Sequence, residues 1–586
     1  MMKRAPARHG LLSLLRQFLR PYSWRTVIVV DLIAFQAIES LYLPNLFADI
    51  INNGVVMGDT KYIWRTGFLM LAITALIAIT ATIATYLGAG ITVKVGADIR
   101  AAIYSRVRAF SAQELNRFGV ASLVIRNTND ADQVEHLVGM GLSVLVPAVV
   151  YSVGGVIMAI RESASLSLLL VVVVPLICVA ITLVAMRTVP MLRSMQARFD
   201  RFNQVLREQV SGVRVVRAFG RTRSEQERFR TVNAEITTIS LRAVRLFAVA
   251  VPVMTAVLTV SGVAIVWFGG RLVTDGTVPI GNLVAFLAYI MLILTALVVS
   301  TAIVIQIPRA MASAERIVQV IDTVPSISDP QHPVTPAAGS GAVEFRRVTF
   351  GYPGSEQPVV RDLTFVAPPG RTTAIIGSIG SGKSTVVNLI LRFIDPTSGA
   401  VLVNETDVRE QSAERLRSTI GLVPQRPFLF HGTVASNLRL GAPEATDEQL
   451  WRALDIAQAS DFVAAMPGQL DAPIDQSGTN VSTGQRQRLC IARALVRRPS
   501  LYVFDDCFSA LDAATDARLR AALRAETESA TVVVIAQRIA TIMHADQIIV
   551  LDAGSITGIG THEELLAGCA AYREMATSQL GEDIFA

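Results

Sequence analysis

The sequence is short of charge. Asp, Glu, Lys and Arg supply 17% of its 586 residues, while hydrophobic residues supply 52%. That balance excludes an ordinary soluble protein and predicts membrane spans. Cysteine is also scarce. Cys178, Cys490, Cys507 and Cys569 stand far apart, with no C-x-x-C and no histidine at ligand spacing. They read as reduced, buried thiols facing a cytosol, and neither a disulfide framework nor a metal site is expected. No basic tract is interleaved with aromatics, and a net charge of +6 is small for this length, so no nucleic-acid partner is expected. The basic N-terminus, Met1 to Arg25, is not followed by the short apolar core and cleavage site of a secretory signal.

What is present begins with Gly377-Ser378-Ile379-Gly380-Ser381-Gly382-Lys383-Ser384-Thr385, the spacing of a phosphate-binding loop. Its glycines let backbone N–H groups converge on an anion, and the following helix N-terminus adds its dipole. Lys383 can reach the β- and γ-phosphates, and the Ser384 hydroxyl can hold Mg²⁺. The context fits: Thr372–Ile376 reads as a buried strand, and Thr385–Leu391 opens a helix. A chance glycine-rich turn would not carry that strand and helix.

The first half carries six long apolar stretches, at 27–48, 66–92, 138–160, 164–186, 246–268 and 282–306. Each meets the roughly 20 residues that a bilayer helix needs. Before them, Gly10 to Trp24 alternates apolar and basic residues, as in a helix lying at the cytoplasmic interface. The connections near 49–65 and 271–281 are short, and only Arg161-Glu162-Ser163 separates the third and fourth stretches. Those at 93–137 and 187–245 are long and rich in arginine. Positive-inside reasoning places both, and both termini, in the cytosol, as helices continuing beyond the bilayer. This predicts a multi-pass cell-membrane protein. Glu39 lies deep in the first span, either lining a pathway or pairing with a neighbouring helix. Pro147, Pro175 and Pro252 read as packing kinks.

Residues 323–342 form a Pro/Ala/Gly/Ser linker. The expected organisation is an all-α six-helix transmembrane domain over 1–322, the linker, and an α/β nucleotide-binding domain over 343–586. With one of each and no internal repeat, the chain reads as half of something two-fold.

The motifs of the second half resemble those of the ABC exporter family, in family order. Tyr352, in Phe350-Gly351-Tyr352-Pro353, would stack on adenine; otherwise it is a core tyrosine. Gln425, in Val423-Pro424-Gln425, would contact Mg²⁺ and the attacking water. Val481-Ser482-Thr483-Gly484-Gln485 resembles the signature motif, whose Ser482, Gly484 and Gln485 would bind the γ-phosphate held by another subunit. Leu501–Asp505 resembles the Walker B strand, with Asp505 holding Mg²⁺ through water, and Ser509–Asp512 resembles the D-loop. Ser111–Phe118 and Val215–Arg221 fall where coupling helices turn, although either also reads as a solvated helix face. The resemblance implies ATP and Mg²⁺ as cofactors.

Three departures qualify it. Asp506 stands where the family has a catalytic glutamate, Gln537 where it has a switch histidine, and Thr483 where it has a signature glycine; Asp475-Gln476-Ser477-Gly478 also differs from the usual preceding run. Aspartate retracts its carboxylate by roughly 1 Å, a displacement that can cost about 10²-fold in rate. Glutamine cannot carry an imidazolium's charge. Catalysis would rest on Asp506, Gln537 and Gln425, and the first two belong to one composite site. The expectation is a degenerate ATP site in a heterodimer whose partner half-transporter supplies the glutamate and histidine. A homodimer with two slow sites is the other reading. The substrate would be hydrophobic or amphipathic: a drug, lipid or lipopeptide. An importer built on the same fold and an ATP-binding regulatory subunit are the alternative functions.

Overall fold

A computed structural model describes residues 10–168, 170–336, 341–509 and 511–580. The chain forms two compact units. One runs up to Ala109 and continues over Phe118–Val324; the other joins Phe110–Arg117 to the chain from Pro325 onward.

The first unit is helical. Five segments are long and apolar enough to cross a membrane among the described residues: Leu11–Val55, Thr60–Arg108, Val120–Glu162, Thr255–Thr274 and Ile280–Ile321. The fourth expected span, 164–186, falls on the short helix Ala164–Ser167 and the helix Leu170–Ser211. Residue 169 and several side chains there, and several around 246–254, lie outside the described residues. The long connections are helical, as their patterns predict. The helix Thr60–Arg108 has 49 residues and Thr222–Thr274 has 53. At 1.5 Å per residue these are about 74 and 80 Å long, more than twice a bilayer's apolar thickness.

Two details differ from the sequence reading. The connection near 49–65 is largely helical, because a wide π-turn over Ile50–Val55 carries the first span almost to Thr60. The N-terminal helix Leu11–Leu19 buries Leu14 and Phe18 in protein, so one face of it is core and only Leu12's side is free. Pro147 follows the π-turn Gly141–Leu145 within the continuous helical segment Val120–Glu162. Lacking an N–H, it leaves a carbonyl of the preceding turn without its helix bond, which suits a bend. Ser163 ends that helix in extended backbone and caps the next by accepting from Leu166 N.

Polar staples hold the unit at buried and partly buried positions. Asp130, fully buried, accepts from Arg316 Nε at 2.7 Å and from Ser313 Oγ at 3.0 Å. Asn52 donates to Asn282 Oδ1 and accepts from Gly281 N, both at 2.8 Å. Removing Arg316, whose own side chain is half-exposed, would leave the buried Asp130 carboxylate without its cation.

The second unit is an α/β domain. Its six-stranded sheet runs, edge to edge, Ser555–Gly560, Gln547–Asp552, Thr372–Gly377, Thr531–Ile535, Leu501–Asp505 and Ile420–Val423. All neighbours are parallel except the first pair. These strands are nearly all apolar because both faces are covered. Successive residues alternate between two cores: Ala374, Ile376, Val532 and Val534 face one, and Ile375, Val533 and Ile535 face the other. A second, antiparallel sheet pairs Val343–Phe350 with Val360–Ala367 and Ser398–Val403. Glu114, on the helix Ala112–Phe118, is buried in this unit and accepts from Ser111 N at 2.8 Å and Ser326 N at 3.2 Å. Burial alone would raise its pKa, but these hydrogen bonds outweigh it and hold the carboxyl below its ordinary value.

Candidate functional site: a phosphate-binding edge

A parallel sheet delivers all its strand ends to one edge, and this one delivers four residue sets there. The strand Thr372–Gly377 ends in the glycine-rich loop; Ile420–Val423 leads to Gln425; Leu501–Asp505 leads to Asp506; Thr531–Ile535 leads to Gln537. The register aligns the last two strands, with Ile535 opposite Asp505.

The loop closes because two positions tolerate no side chain. At Gly377 a Cβ would fall 2.1 Å from the carbonyl oxygen of Leu551. At Gly382, with φ +100°, it would fall 2.6 Å from the Val360 side chain. Gly382 then starts the helix Lys383–Ile390 from a left-handed conformation, which only glycine adopts without strain. Ser381 and Thr385 are buried, whereas Ser378, Gly380 and Ser384 are exposed at the loop's open side. Lys383 Nζ donates to the carbonyl oxygens of Gly377 and Ser378, each at 2.7 Å. Burial pushes its ammonium below the ordinary lysine value, and the charges of Asp506 and Asp505 partly offset this.

Asp506 is the meeting point. Its Oδ2 accepts from Gln537 Nε2 at 2.7 Å and from Gln425 Nε2 at 3.2 Å. Its backbone has φ +46°, unusual for a side-chain-bearing residue, and is pinned by Asp506 N to Ile535 O at 2.9 Å and by Ser509 Oγ to Asp506 O at 3.0 Å. Asp505 has its pKa raised to about 6, by burial first and the adjacent Asp506 charge second. Asp506 is raised too, by burial, against the lowering effect of its amide partners and Lys383. The structure therefore brings together the glycine-rich loop, Gln425, Asp505, Asp506 and Gln537.

Other expected site residues stand apart. Among the described residues, no hydrogen bond joins Ser482, Gly484 or Gln485 to the loop. They form the start of the helix Thr483–Val496, where Ser482 and Gln485 cap each other reciprocally at 2.9 and 3.2 Å. Thr483 turns its hydroxyl back to accept from Arg486 at 3.2 Å. Tyr352 is half-exposed, with its ring edge-on to Phe350 at 5.0 Å. Ala510, within Ser509–Asp512, lies outside the described residues; Asp512 caps the next helix by accepting from Thr515 N at 2.9 Å.

One residue escapes sequence reasoning altogether. Gln579 donates to Gln537 O and accepts from Ile539 N, both at 2.8 Å. It clamps the turn carrying Gln537 from a helix 42 positions downstream. No motif marks it.

Comparison with known proteins gives this geometry its context. Residues 27–297 match the ABC transporter transmembrane region, and residues 360–509 match the ABC transporter domain. The chain is 46% identical over 573 residues to an uncharacterised ABC transporter ATP-binding protein of Mycobacterium tuberculosis, covering 97% of this chain and 98% of that one. It is 30% identical to an ATP-dependent lipid A-core flippase of Thiobacillus denitrificans, covering 99% of this chain and 100% of the flippase. The solved structure of a bacterial Atm1-family ABC exporter with ATP bound superposes with a TM-score of 0.79 at 21% identity, over 96% of this chain and 99% of the exporter. The chain therefore belongs to the ABC transporter family, as an integral membrane protein of exporter-type fold with an ATP-binding domain that powers transport.

Proposed function

We propose that the chain is one half of a heterodimeric exporter for hydrophobic or amphipathic molecules, and that its own loop site holds ATP and hydrolyses it slowly. The observation that carries this reading is at Asp506. Two neutral amides, from Gln425 and Gln537, both donate to one oxygen, Oδ2, of the carboxylate that would have to orient water. The aspartate is one methylene short of a glutamate, and Gln537 cannot become a cation to meet developing charge on the γ-phosphate. Loop, lysine and strand edge are otherwise built to grip a triphosphate, so binding is kept where the chemistry is weakened. Ser482, Gly484 and Gln485, at a capped helix N-terminus, serve the partner's site.

The oxygen donors Ser384, Gln425 and Asp505 suit Mg²⁺, a hard cation. The raised Asp505 pKa supports the fit, since two adjacent carboxylates favour a positive charge beside them. When bound, the ion would neutralise charge on the phosphates. Tyr352 stacks on adenine. The proposed domains are 1–322, the linker 323–342 and 343–586, with the nucleotide-binding domain on the cytosolic side of the cell membrane. Helices Ala112–Phe118 and Val213–Ala218 transmit closure to the spans. The apolar tip of the second, with Phe219 at 78% exposure, favours a docking partner there. The flippase relative favours a lipid among the substrate classes.

The test is ATP turnover by the chain purified alone and together with a co-expressed second half-transporter carrying the catalytic glutamate and switch histidine. The pair should turn over ATP at least tenfold faster. A lone chain as fast as the pair overturns the slow-site reading.

A further inference from the structure

A cavity of about 760 Å³ lies within the membrane unit, walled by the helices Ser23–Asp49 and Thr60–Arg108 and by the stretch 132–147 of a single chain. Its two ends differ. Val29, Ile33 and Leu142 line an apolar part, while Asp132, Glu135 and His136 line a polar one. The second helix contributes from Ala81 to Val93, a rise of about 18 Å, enough for a long alkyl chain.

The polar end carries unbalanced charge. Arg100 Nη1 lies 2.9 Å from Glu135 and 3.6 Å from Asp132, so one guanidinium answers two carboxylates. Glu135 closes directly onto the second helix because position 96 is glycine; a Cβ there would sit 1.8 Å from its Oε2. Gln36 also lines the cavity; Glu39, further along the same helix, does not. Glu39 is 9% exposed, meets the Thr80 hydroxyl at 3.4 Å through one oxygen, and has no partner for the other among the described residues. A buried carboxylate within a span is costly without a donor or a cation. The excess carboxylate charge at Glu135 and Asp132 calls for a cation, and the apolar walls of the same cavity call for hydrocarbon.

We infer that this cavity binds a cationic single-chain amphiphile, with its ammonium head against Glu135 and Asp132 and its alkyl chain along Val29, Ile33 and Leu142. The inference rests on the proposal that the substrate is amphipathic, and it assigns that substrate's charge and shape.

The experiment is saturable binding of radiolabelled dodecylammonium, without nucleotide, to the full-length chain in nanodiscs, with empty discs subtracted. Wild type should bind it at least tenfold more tightly than dodecanoate. Glu135→Gln should weaken binding about tenfold, Glu135→Asp should recover most of it, and Gly88→Leu, which fills the cavity, should abolish it. Equal affinity for dodecanoate, or unchanged binding in Glu135→Gln, overturns the site. ATP-driven movement of dodecylammonium by the assembled transporter is measured separately. Glu135-dependent binding without movement upholds the cavity and overturns the amphipathic-substrate reading. Movement without Glu135-dependent binding overturns the cavity.

Discussion

The ATP-binding domain carries two motif-bearing surfaces, the loop side and the signature side, and they are held in different ways. The loop side is assembled from four strand ends of one sheet, so Lys383, Gln425, Asp506 and Gln537 are positioned by backbone pairing across the domain. The signature side is a local device: Ser482 and Gln485 cap one helix, and Arg486 ties down Thr483. Substitutions have fallen on both, with different consequences. On the loop side the departures from the family pattern fall on Asp506 and Gln537, the groups proposed to do chemistry, and leave the glycine-rich loop whole. On the signature side Thr483 is absorbed by a hydrogen bond to its own helix, and the cap survives. Binding geometry and catalytic chemistry can thus be separated in one domain, because a cradle depends on backbone and a general base on one carboxylate.

The largest effect should come from the signature side. Ser482→Arg places a bulky cation at a helix N-terminus and should lower phosphate release by the assembled pair about 100-fold, as expected when a transition-state donor is lost. Asp506→Ala should change the same rate less than about twofold. Comparable losses in the two variants would erase the distinction between the surfaces. Next is the attempt to restore the loop side. Asp506→Glu combined with Gln537→His should raise turnover by the chain alone at least tenfold, since general-base positioning contributes about 10²–10⁴. If turnover stays flat, the slowness lies elsewhere than in these two side chains.

Much of this was legible in advance, and the reason is locality. The loop and the signature motif are contiguous runs whose strand–turn–helix context can be read within twenty residues. The break at Ser163 was readable for the same reason, since an extended cap must separate two apolar helices. The meeting of Gln425, Asp506 and Gln537 was foreseeable only through family resemblance, because 81 and 31 positions separate the partners. Gln579 was beyond reach: its amide serves backbone atoms, which leave no pattern of paired side chains. The π-turn at Ile50–Val55 was missed because apolar periodicity does not distinguish an extra residue per turn from a loop.

A smaller effect follows from that clamp. Gln579→Ala removes two hydrogen bonds at 2.8 Å from the turn bearing Gln537, one of them to Gln537 O itself. Each is worth about 1 kcal/mol at most on an exposed turn, so the melting temperature should fall by about 2–4 °C. Phosphate release by the pair should hold steady if, as proposed, the turn serves a slow site. A collapse of activity with unchanged melting would place Gln579 in the working chemistry and blur the two surfaces.

The finest test uses protons. Asp505 titrates at about 6 in the folded chain, raised from 3.8 by burial and by Asp506. Between those values the folded state holds more protons than the unfolded state, so stability falls as pH rises through that window and levels off above it. With nucleotide absent and divalent ions chelated, the melting temperature should drop between pH 5 and pH 7. Asp505→Asn should remove this part of the slope and stabilise the protein at pH 7, where the wild type buries two neighbouring charges. Ser482→Ala, on the other surface, carries no titrating group and should keep the wild-type slope. If Asp505→Asn melts with the same pH dependence as wild type, charge is not what distinguishes the loop side. The cation proposed to bind there would then lose its electrostatic motive.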